Sequence, residues 1–409
     1  MYGTFKFIHC ADLHLGSSFI GLSNRHRDLG KRLRESMFEA LENVVAIAKE
    51  EDIDFVIFAG DIFDDTEETF LTRSRFIEAI RRIGKNCYIC YGNHDDSRKW
   101  EKGLPLPENA FVFSTTVTNY TFVKDGTSVA KIIGASFSRI PTEDLLVNVV
   151  GEKDMFNIGV FHCSLDSYSQ NDEYAPCKKN SLLNKGVDYW ALGHVHKRSI
   201  VSKRPYIVYP GNTQGKKITE QGHKGCYVVT VTGGSVSDIK FRKTGNFVFK
   251  DVALDITGKN DLEDVVRHTC SDLNEKTVLR VDVGGRGNLD GLRTDDVNEV
   301  IEQIEKYTGC FVVSLRFSSL PDIDLNSREK TGDFISEVIR CGRERLNEFS
   351  RDLLLNTICS TRLSQSIKKE FEAFSDEELR RMIADAQYRI VEELLRAEGD
   401  DRVDKKDFH

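Results

Sequence analysis

Short apolar runs that stop abruptly and then deliver Asp, Asn or His constrain this chain more than any other feature. The densest example is Tyr91-Gly92-Asn93-His94-Asp95-Asp96, which follows the apolar run Cys87 to Tyr91. A strand that ends at a glycine and then a polar cluster places functional atoms at the carboxyl edge of a sheet. Residues 5–10 end in Ala11-Asp12-Leu13-His14, and residues 54–59 end in Gly60-Asp61-Ile62-Phe63-Asp64. Residues 156–161 end in His162, and residues 189–192 in Gly193-His194-Val195-His196. The run 54–59 is continuously apolar, as expected of a strand buried on both faces.

Helices separate the first three runs. Leu29, Leu33, Met37, Leu41, Val44 and Ala48 form one stripe at helical spacing between about Arg27 and Glu50. A second helix is expected from about Phe70 to Ile83, with Gly84 as its stop. Alternating strands and helices predict an α/β layered domain with its site at one sheet edge. A hairpin turning at Asp125-Gly126 is expected over 117–135, and strands continue to about 249.

The pattern changes near 250. Residues 250–318 read strand (Val252–Ile256), helix (Leu262–Leu273), strand (Val278–Val283), helix (Val297–Tyr307), strand (Phe311–Phe317). After Pro321 the chain reads as helical and charged, with candidates at Asp333–Leu346, Arg351–Phe374 and Asp376–Ala397. Three segments are therefore expected: 1–248, 249–320 and 321–409. Leu379, Ile383, Ile390, Leu394 and Leu395 make an apolar stripe that a small tail does not easily bury alone. A helical hairpin packed on its own domain is the alternative.

Net charge excludes bulk coating of a polyanion: it is −8, and residues 321–409 carry −5 of it, from 16 Lys and Arg against 21 Asp and Glu. No apolar run approaches the ~20 residues of a membrane span. The first residues read as a strand rather than a secretory signal, and the scattered cysteines read as buried thiols. A cytoplasmic location is the expectation. Cys87 and Cys90 would point to opposite faces of a strand, which argues against a redox pair.

The strand ends together supply Asp12, His14, Asp61, Asn93, His94, His162, His194 and His196. Asp and His without thiolate suit a borderline or hard divalent metal such as Mn, Fe, Zn or Mg. Asp12 and His14, like His194 and His196, are alternate residues, and so many donors exceed the needs of one ion. Two ions sharing a carboxylate suit phosphoester hydrolysis, and an imidazole outside the coordination sphere can protonate the leaving oxygen. A single strand-end His is usually only solvated, and His9, His26, His223, His268 and His409 are read that way.

The ordered series Asp12-Leu-His14, Gly60-Asp61, Gly92-Asn93-His94-Asp95, His162 and Gly193-His194-Val195-His196 resembles the calcineurin-like metallophosphoesterase superfamily over about residues 5–245. Within it, Ala11-Asp-Leu-His-Leu-Gly16, Gly60-Asp-Ile-Phe-Asp64 and Tyr209-Pro-Gly-Asn212 resemble the SbcD-type DNA repair exonucleases. The resemblance implies an α/β fold: a layered β-sandwich flanked by helices, a small α/β capping domain and a helical C-terminal segment. It implies two divalent ions, most often Mn²⁺. Asp12, His14 and His196 would hold one, Asn93, His162 and His194 the other, and Asp61 would bridge them. His94 would be the uncoordinated imidazole, with Asp64 or Asp95 orienting it. One branch of repair nucleases has His where Asp64 stands, and Tyr209-Pro-Gly-Asn-Thr-Gln214 varies that family's Pro-Gly-Ser-Pro pattern.

The resemblance further implies a DNA nuclease acting on double-stranded ends and single strands, a homodimer, and an SMC-like ATPase of the SbcC type bound through the C-terminal helices. Arg25, Arg27, Lys197, Arg198, Lys203, Arg204, Lys216 and Lys217, near the motif loops, are the DNA-contact candidates. A phosphoesterase for small diesters or phosphoproteins, and a DNA-end tethering scaffold, are the competing readings.

Overall fold

The computed structural model describes residues 3–17, 19, 27–64, 69–95, 104–138, 140–166, 176–294, 296–359 and 365–403. The chain divides into two compact units, Met1–Lys250 with Glu275–Arg280, and Asp251–Asn274 with Val281–His409.

The first unit is built on two six-stranded sheets. One contains β1 (Phe5–Cys10), β2 (Phe55–Ala59), β3 (Asn86–Cys90), β4 (Ala110–Val112), β13 (Gly225–Thr232) and β14 (Ser235–Lys243), in the order β14-β13-β1-β2-β3-β4. The other contains β5 (Thr118–Lys124), β6 (Thr127–Gly134), β7 (Phe156–His162), β10 (Tyr189–Gly193), β11 (Ser199–Lys203) and β12 (Tyr206–Tyr209), in the order β11-β12-β10-β7-β6-β5. The short strands β8 (Ser164–Leu165) and β9 (Pro176–Cys177) pair with each other. β1, β2 and β3 run parallel with Cys10 opposite Phe58 and Ala59 opposite Cys90, so all three end at one level. β7 and β10 are parallel with His162 opposite Gly193.

Strand alternation sorts the side chains into layers. Phe7, Phe55, Ile57, Tyr88, Phe156 and Tyr189 fill the space between the sheets. Phe7 stacks on Phe55 (5.2 Å, 3°) and meets Tyr189 edge-on (5.3 Å, 88°), so one aromatic on β1 joins both sheets. The opposite face of the first sheet carries Ile8, Val56, Phe58 and Ile89, covered by α1 (Arg27–Glu50) and α2 (Phe70–Ile83). The stripe from Leu29 to Ala48 is buried as its spacing predicts. Thr69 caps α2, and Gly84, at φ 65°, ends it. The short helices Thr142–Leu146 and Lys179–Leu182 cover the outer face of the second sheet through Leu145, Leu146 and Leu182. The fold is thus a sandwich of two sheets flanked by helices.

Asp125 (φ 49°) and Gly126 (φ 75°) make the tight turn between β5 and β6. Cys87 lies in the helix-covered layer and Cys90 between the sheets, on opposite faces as expected. The nine described cysteines are free thiols, eight of them buried.

Downstream come β15 (Val248–Asp255), helix Leu262–Thr269, β16 (Thr277–Gly284), helix Val297–Thr308 and β17 (Phe311–Phe317). The three strands form a sheet in the order β15-β16-β17. Helices follow at Leu325–Arg328, Phe334–Asn347, Arg351–Cys359, Gln365–Ala373 and Asp376–Val403. Two of them fall within the expected single helix 351–374, and residues 360–364 between them lie outside the described set. The last helix packs on Phe334–Asn347 through Val391, Tyr388, Leu394 and Leu395 against Ile335 and Ile339. Gln387 Nε2 donates to the Ile339 carbonyl at 2.6 Å. Leu379 is buried as well, so the expected stripe is mostly covered by its own unit, while Met382 and Ile390 remain exposed. No helix among the described residues is long and apolar enough to cross a membrane.

Truncating Phe55 removes a fully buried ring that contacts both Phe5 and Phe7. Phe55→Ala should cost about 3–5 kcal/mol of stability. Equilibrium denaturation measures this, and a loss below about 1 kcal/mol would contradict the packing described.

Candidate metal centre

The site lies where the carboxyl ends of five strands meet. Asp12 and His14 follow β1, Asp61 follows β2, Asn93 and His94 follow β3, His162 ends β7, and His194 and His196 follow β10. The local backbone is unusual. Asp12 (φ 53°), His14 (45°), Asp61 (50°) and His194 (93°) are all in the left-handed region, a conformation that costs about 1–3 kcal/mol each and persists only when the surroundings enforce it. Two glycines make room for the donors. A Cβ on Gly60 (φ 90°) would lie 2.3 Å from His162 Nδ1, and one on Gly92 would lie 2.0 Å from Asp61 Oδ1.

The donors fall into two groups. In the first, His14 Nε2 and His196 Nε2 are 3.1 Å apart, with an Asp12 carboxylate oxygen within 4.8 Å of both rings; Asp12 stands in the same relation to Asp61 and His162. In the second, Asn93 Oδ1 is 3.1 Å from His162 Nε2 and 3.1 Å from His194 Nδ1. Asp61 Oδ2 sits between them, 3.6 Å from His14 Nε2 and 3.4 Å from His162 Nε2. Its other oxygen accepts the His94 backbone N–H at 2.9 Å. Asp12 Oδ1 accepts the His194 N–H at 2.9 Å, while its buried Oδ2 has no hydrogen-bond partner among the described residues.

Tautomers decide what this arrangement needs. His162 Nδ1 lies 2.9 Å from the Ala59 carbonyl, which only a protonated nitrogen can satisfy, so in the neutral ring Nε2 bears a lone pair. That lone pair faces Asn93 Oδ1 and Asp61 Oδ2. His196 Nδ1 likewise faces Glu220 Oε1 at 2.7 Å, which directs the Nε2 lone pair at His14 Nε2. In each cluster at least one imidazole lone pair and one carboxyl or amide oxygen thus face the same space, an arrangement that positive charge between them favours. The same demand appears in titration. Burial opposes the charged form of His162, yet Asp61 and Asp12 raise its pKa to about 9. Burial opposes ionisation of Asp61, but His162, His14 and His94 hold it well below the usual carboxylate range. Oxygen and imidazole donors without thiolate fit divalent cations of the hard or borderline kind.

His94 stands outside both clusters. Its side chain is 45% exposed, and Nδ1 lies 3.0 Å from Asp64 Oδ1. That carboxylate raises the His94 pKa. Burial works against the charge on Asp64, but the neighbouring His14 and His94 rings hold its pKa far below the ordinary value. Of the two carboxylates expected beside His94, Asp64 is the one whose side chain contacts the ring. Asp95, expected as the other candidate, is turned to the backbone instead. It accepts N–H groups from Gly92 (2.8 Å), Phe63 (2.9 Å) and Ile62 (3.2 Å), tying together the loops after β2 and β3. Burial and the nearby Asp61 push its pKa up to about 7.

Glu220 is the residue that sequence reasoning missed. Its buried carboxylate accepts from His196 Nδ1, from Asn212 Nδ2 (2.8 Å) and from the Lys216 N–H (2.7 Å). Burial resists its ionisation, but the His196 contact holds the pKa at about 2. No motif pointed to it; the one signal was a carboxylate a few residues after the Pro-Gly-Asn turn.

The expected DNA contacts fare unevenly. Lys197, Lys203, Arg204 and Lys217 are exposed. The Arg198 guanidinium lies 3.9 Å over the Phe241 ring. Lys216, expected to face phosphate, has a side chain 12% exposed, with Nζ 3.1 Å from Asp64 Oδ2. Arg25 and the side chain of Arg27 lie outside the described residues, as do His26 and His409. His9 is a buried core residue with Nδ1 3.0 Å from the Tyr189 hydroxyl, its pKa lowered by burial to about 3.

Comparison with known proteins agrees with this geometry. The family model described as calcineurin-like phosphoesterase matches residues 5–198. A Bacillus subtilis (strain 168) protein, uncharacterized metallophosphoesterase YhaO, is 35% identical over 280 residues, 66% of this chain and 68% of that protein. The DNA double-strand break repair protein Mre11 of Aeropyrum pernix is 30% identical over 236 residues, 53% of this chain and 55% of its own length. The Thermoplasma acidophilum protein of the same name is 24% identical over 378 residues, 86% of this chain and 93% of that one. With the sandwich fold, the ordered motifs and the matched span together, the chain belongs to the calcineurin-like phosphoesterase family.

Proposed function

We propose that this metallophosphoesterase is a two-metal DNA nuclease that cleaves phosphodiester bonds at DNA ends and in single strands, most readily with Mn²⁺. The observation that carries the reading is the pair of acceptor clusters on either side of Asp61 Oδ2. Asp12, His14 and His196 would hold one ion, Asn93, His162 and His194 the other, and Asp61 would bridge them. Two divalent ions at this position supply positive charge to the phosphoryl oxygens and acidify the attacking water.

The chain's own residues do the rest. Asn93 contributes a neutral oxygen, which limits negative charge facing an anionic substrate. Glu220 and the Ala59 carbonyl fix the tautomers of His196 and His162, so that both rings present lone pairs. His94 is solvent-facing, and Asp64 favours its protonated form, so it would hold a proton on the open side of the site and give it to the leaving oxygen. The similarity to the Mre11 proteins supports DNA as substrate and double-strand break repair as the setting. We extend the proposal to a homodimer and to an SMC-like ATPase partner. Exposed Met382 and Ile390 on the last helix would meet that partner.

Three experiments test this. With Mn²⁺ and end-labelled single-stranded and duplex DNA, His94→Ala should lower turnover about 10²- to 10⁴-fold without loss of bound metal. Wild-type protein that hydrolyses a chromogenic diester but cuts no DNA, even with the ATPase added, would replace the nuclease reading with a small-substrate phosphoesterase. Glu220→Ala should weaken metal binding about 10- to 100-fold by titration calorimetry, and unchanged affinity would remove Glu220 from its orienting role. Met382→Asp with Ile390→Asp should abolish co-purification with the ATPase and leave diester hydrolysis intact. Undiminished co-purification would show the interface to lie elsewhere.

A further inference from the structure

The Gly211–Glu220 loop reaches both sides of the site through one residue. Lys216 donates its backbone N–H to Glu220 Oε2 at 2.7 Å, and Glu220 Oε1 faces His196. Its ammonium is 3.1 Å from Asp64 Oδ2. Lysine is rarely this buried unless it is paired, and the exposure of 12% leaves the ammonium little solvent. The stereochemistry at Asp64 is specific. Oδ2 is shared by Lys216 Nζ and, at 3.5 Å, His14 Nδ1, which leaves Oδ1 for His94 Nδ1 at 3.0 Å. Asp64 itself is 17% exposed, so without an anchor its carboxylate can turn toward water. A charge-assisted bond on one oxygen fixes the plane and therefore the direction of the other.

We propose that Lys216 is a positioning residue for proton delivery: by holding Asp64 Oδ2 it aims Oδ1 at His94, and by its backbone it holds Glu220 against His196. This deepens the proposed function and rests on His94 protonating the leaving oxygen. The two contacts separate cleanly. The Glu220 contact is made by the main chain and survives replacement of the side chain. The Asp64 contact is made by the ammonium and does not. Loss of the side chain should therefore spare the metal ligands and impair the proton donor alone. A lysine that bound substrate phosphate directly would behave differently, because its loss would weaken substrate binding whatever the leaving group.

The test uses the full chain with Mn²⁺ and two thymidine 5′-phosphate aryl esters, one releasing p-nitrophenol and one releasing phenol. The poorer leaving group needs the proton and the better one does not. Lys216→Met should lower kcat for the phenyl ester about 10-fold or more at unchanged KM. The p-nitrophenyl ester should lose less than about twofold. Bound Mn²⁺ per chain, counted by atomic absorption, should not change. Lys216→Arg, which can still reach Asp64, should recover most of the loss. In a His94→Gln background Lys216→Met should add nothing. Lys216→Gln repeats the comparison should the methionine variant unfold. A rise in KM at constant kcat, equal losses on both esters, a loss that multiplies with His94→Gln, or a fall in bound Mn²⁺ would each overturn the proposal. Wild-type protein that hydrolyses neither ester would overturn the two-metal reading itself, whereas activity on both with Lys216→Met indistinguishable from wild type would remove only the role of Lys216.

Discussion

Acceptors crowded around the Asp61 carboxylate are the constraint on which the rest depends. On either side of Asp61 Oδ2, the neutral rings of His162 and His196 point lone pairs at Asn93 Oδ1 and Asp61 itself and at His14 Nε2, so acceptors on the His162 side face one another unless positive charge, a proton or a cation, lies between them. An unpaired buried acceptor costs roughly 1–3 kcal/mol, so the cluster is stable only where something positive fills it. The protein meets that cost by over-determining the backbone. β1, β2 and β3 end at one level in parallel, the aromatic layer between the sheets fixes them against β7 and β10, and left-handed residues at positions 12, 14, 61 and 194 turn the donors inward.

Around that centre lie carboxylates with different duties. Asp61 joins the two clusters. Asp64 looks outward, contacts His94 and raises its pKa. Glu220 looks inward and sets the tautomer of His196. Asp95 contacts backbone alone and holds the loops that present the others. Their environments differ accordingly: His contacts keep Asp64 and Glu220 strongly acidic, whereas burial beside Asp61 makes Asp95 a weak acid. These four carboxylates, beside Asp12 in the first cluster, thus differ in what each touches.

Much of this was legible in the sequence because the information is local. An apolar run ending in Gly or Ala and then Asp or His specifies a strand and its edge in under ten residues, and five such runs name nearly every donor. α1 was readable from its stripe and the β5–β6 turn from Asp125-Gly126 for the same reason. What escaped is what depends on the path of a loop. Glu220 sits in Thr219-Glu220-Gln221, which reads as polar surface, and becomes buried only because the chain folds back to Asn212. Lys216 looked like a free cation until the same loop brought it to Asp64. Asp64, three residues after Asp61, and Asp95, next to His94, both stood as candidates to orient that ring, and only the direction of their side chains separates them. The apolar stripe of the last helix was visible, but its cover, the helix Phe334–Asn347, required the tertiary fold.

The most direct measurement is an anomalous difference map from crystals of the protein grown with Mn²⁺. The account predicts two peaks about 4 Å apart, one among Asp12, His14 and His196, the other among Asn93, His162 and His194, with Asp61 contacting both. One peak, or two that do not share Asp61, would contradict it.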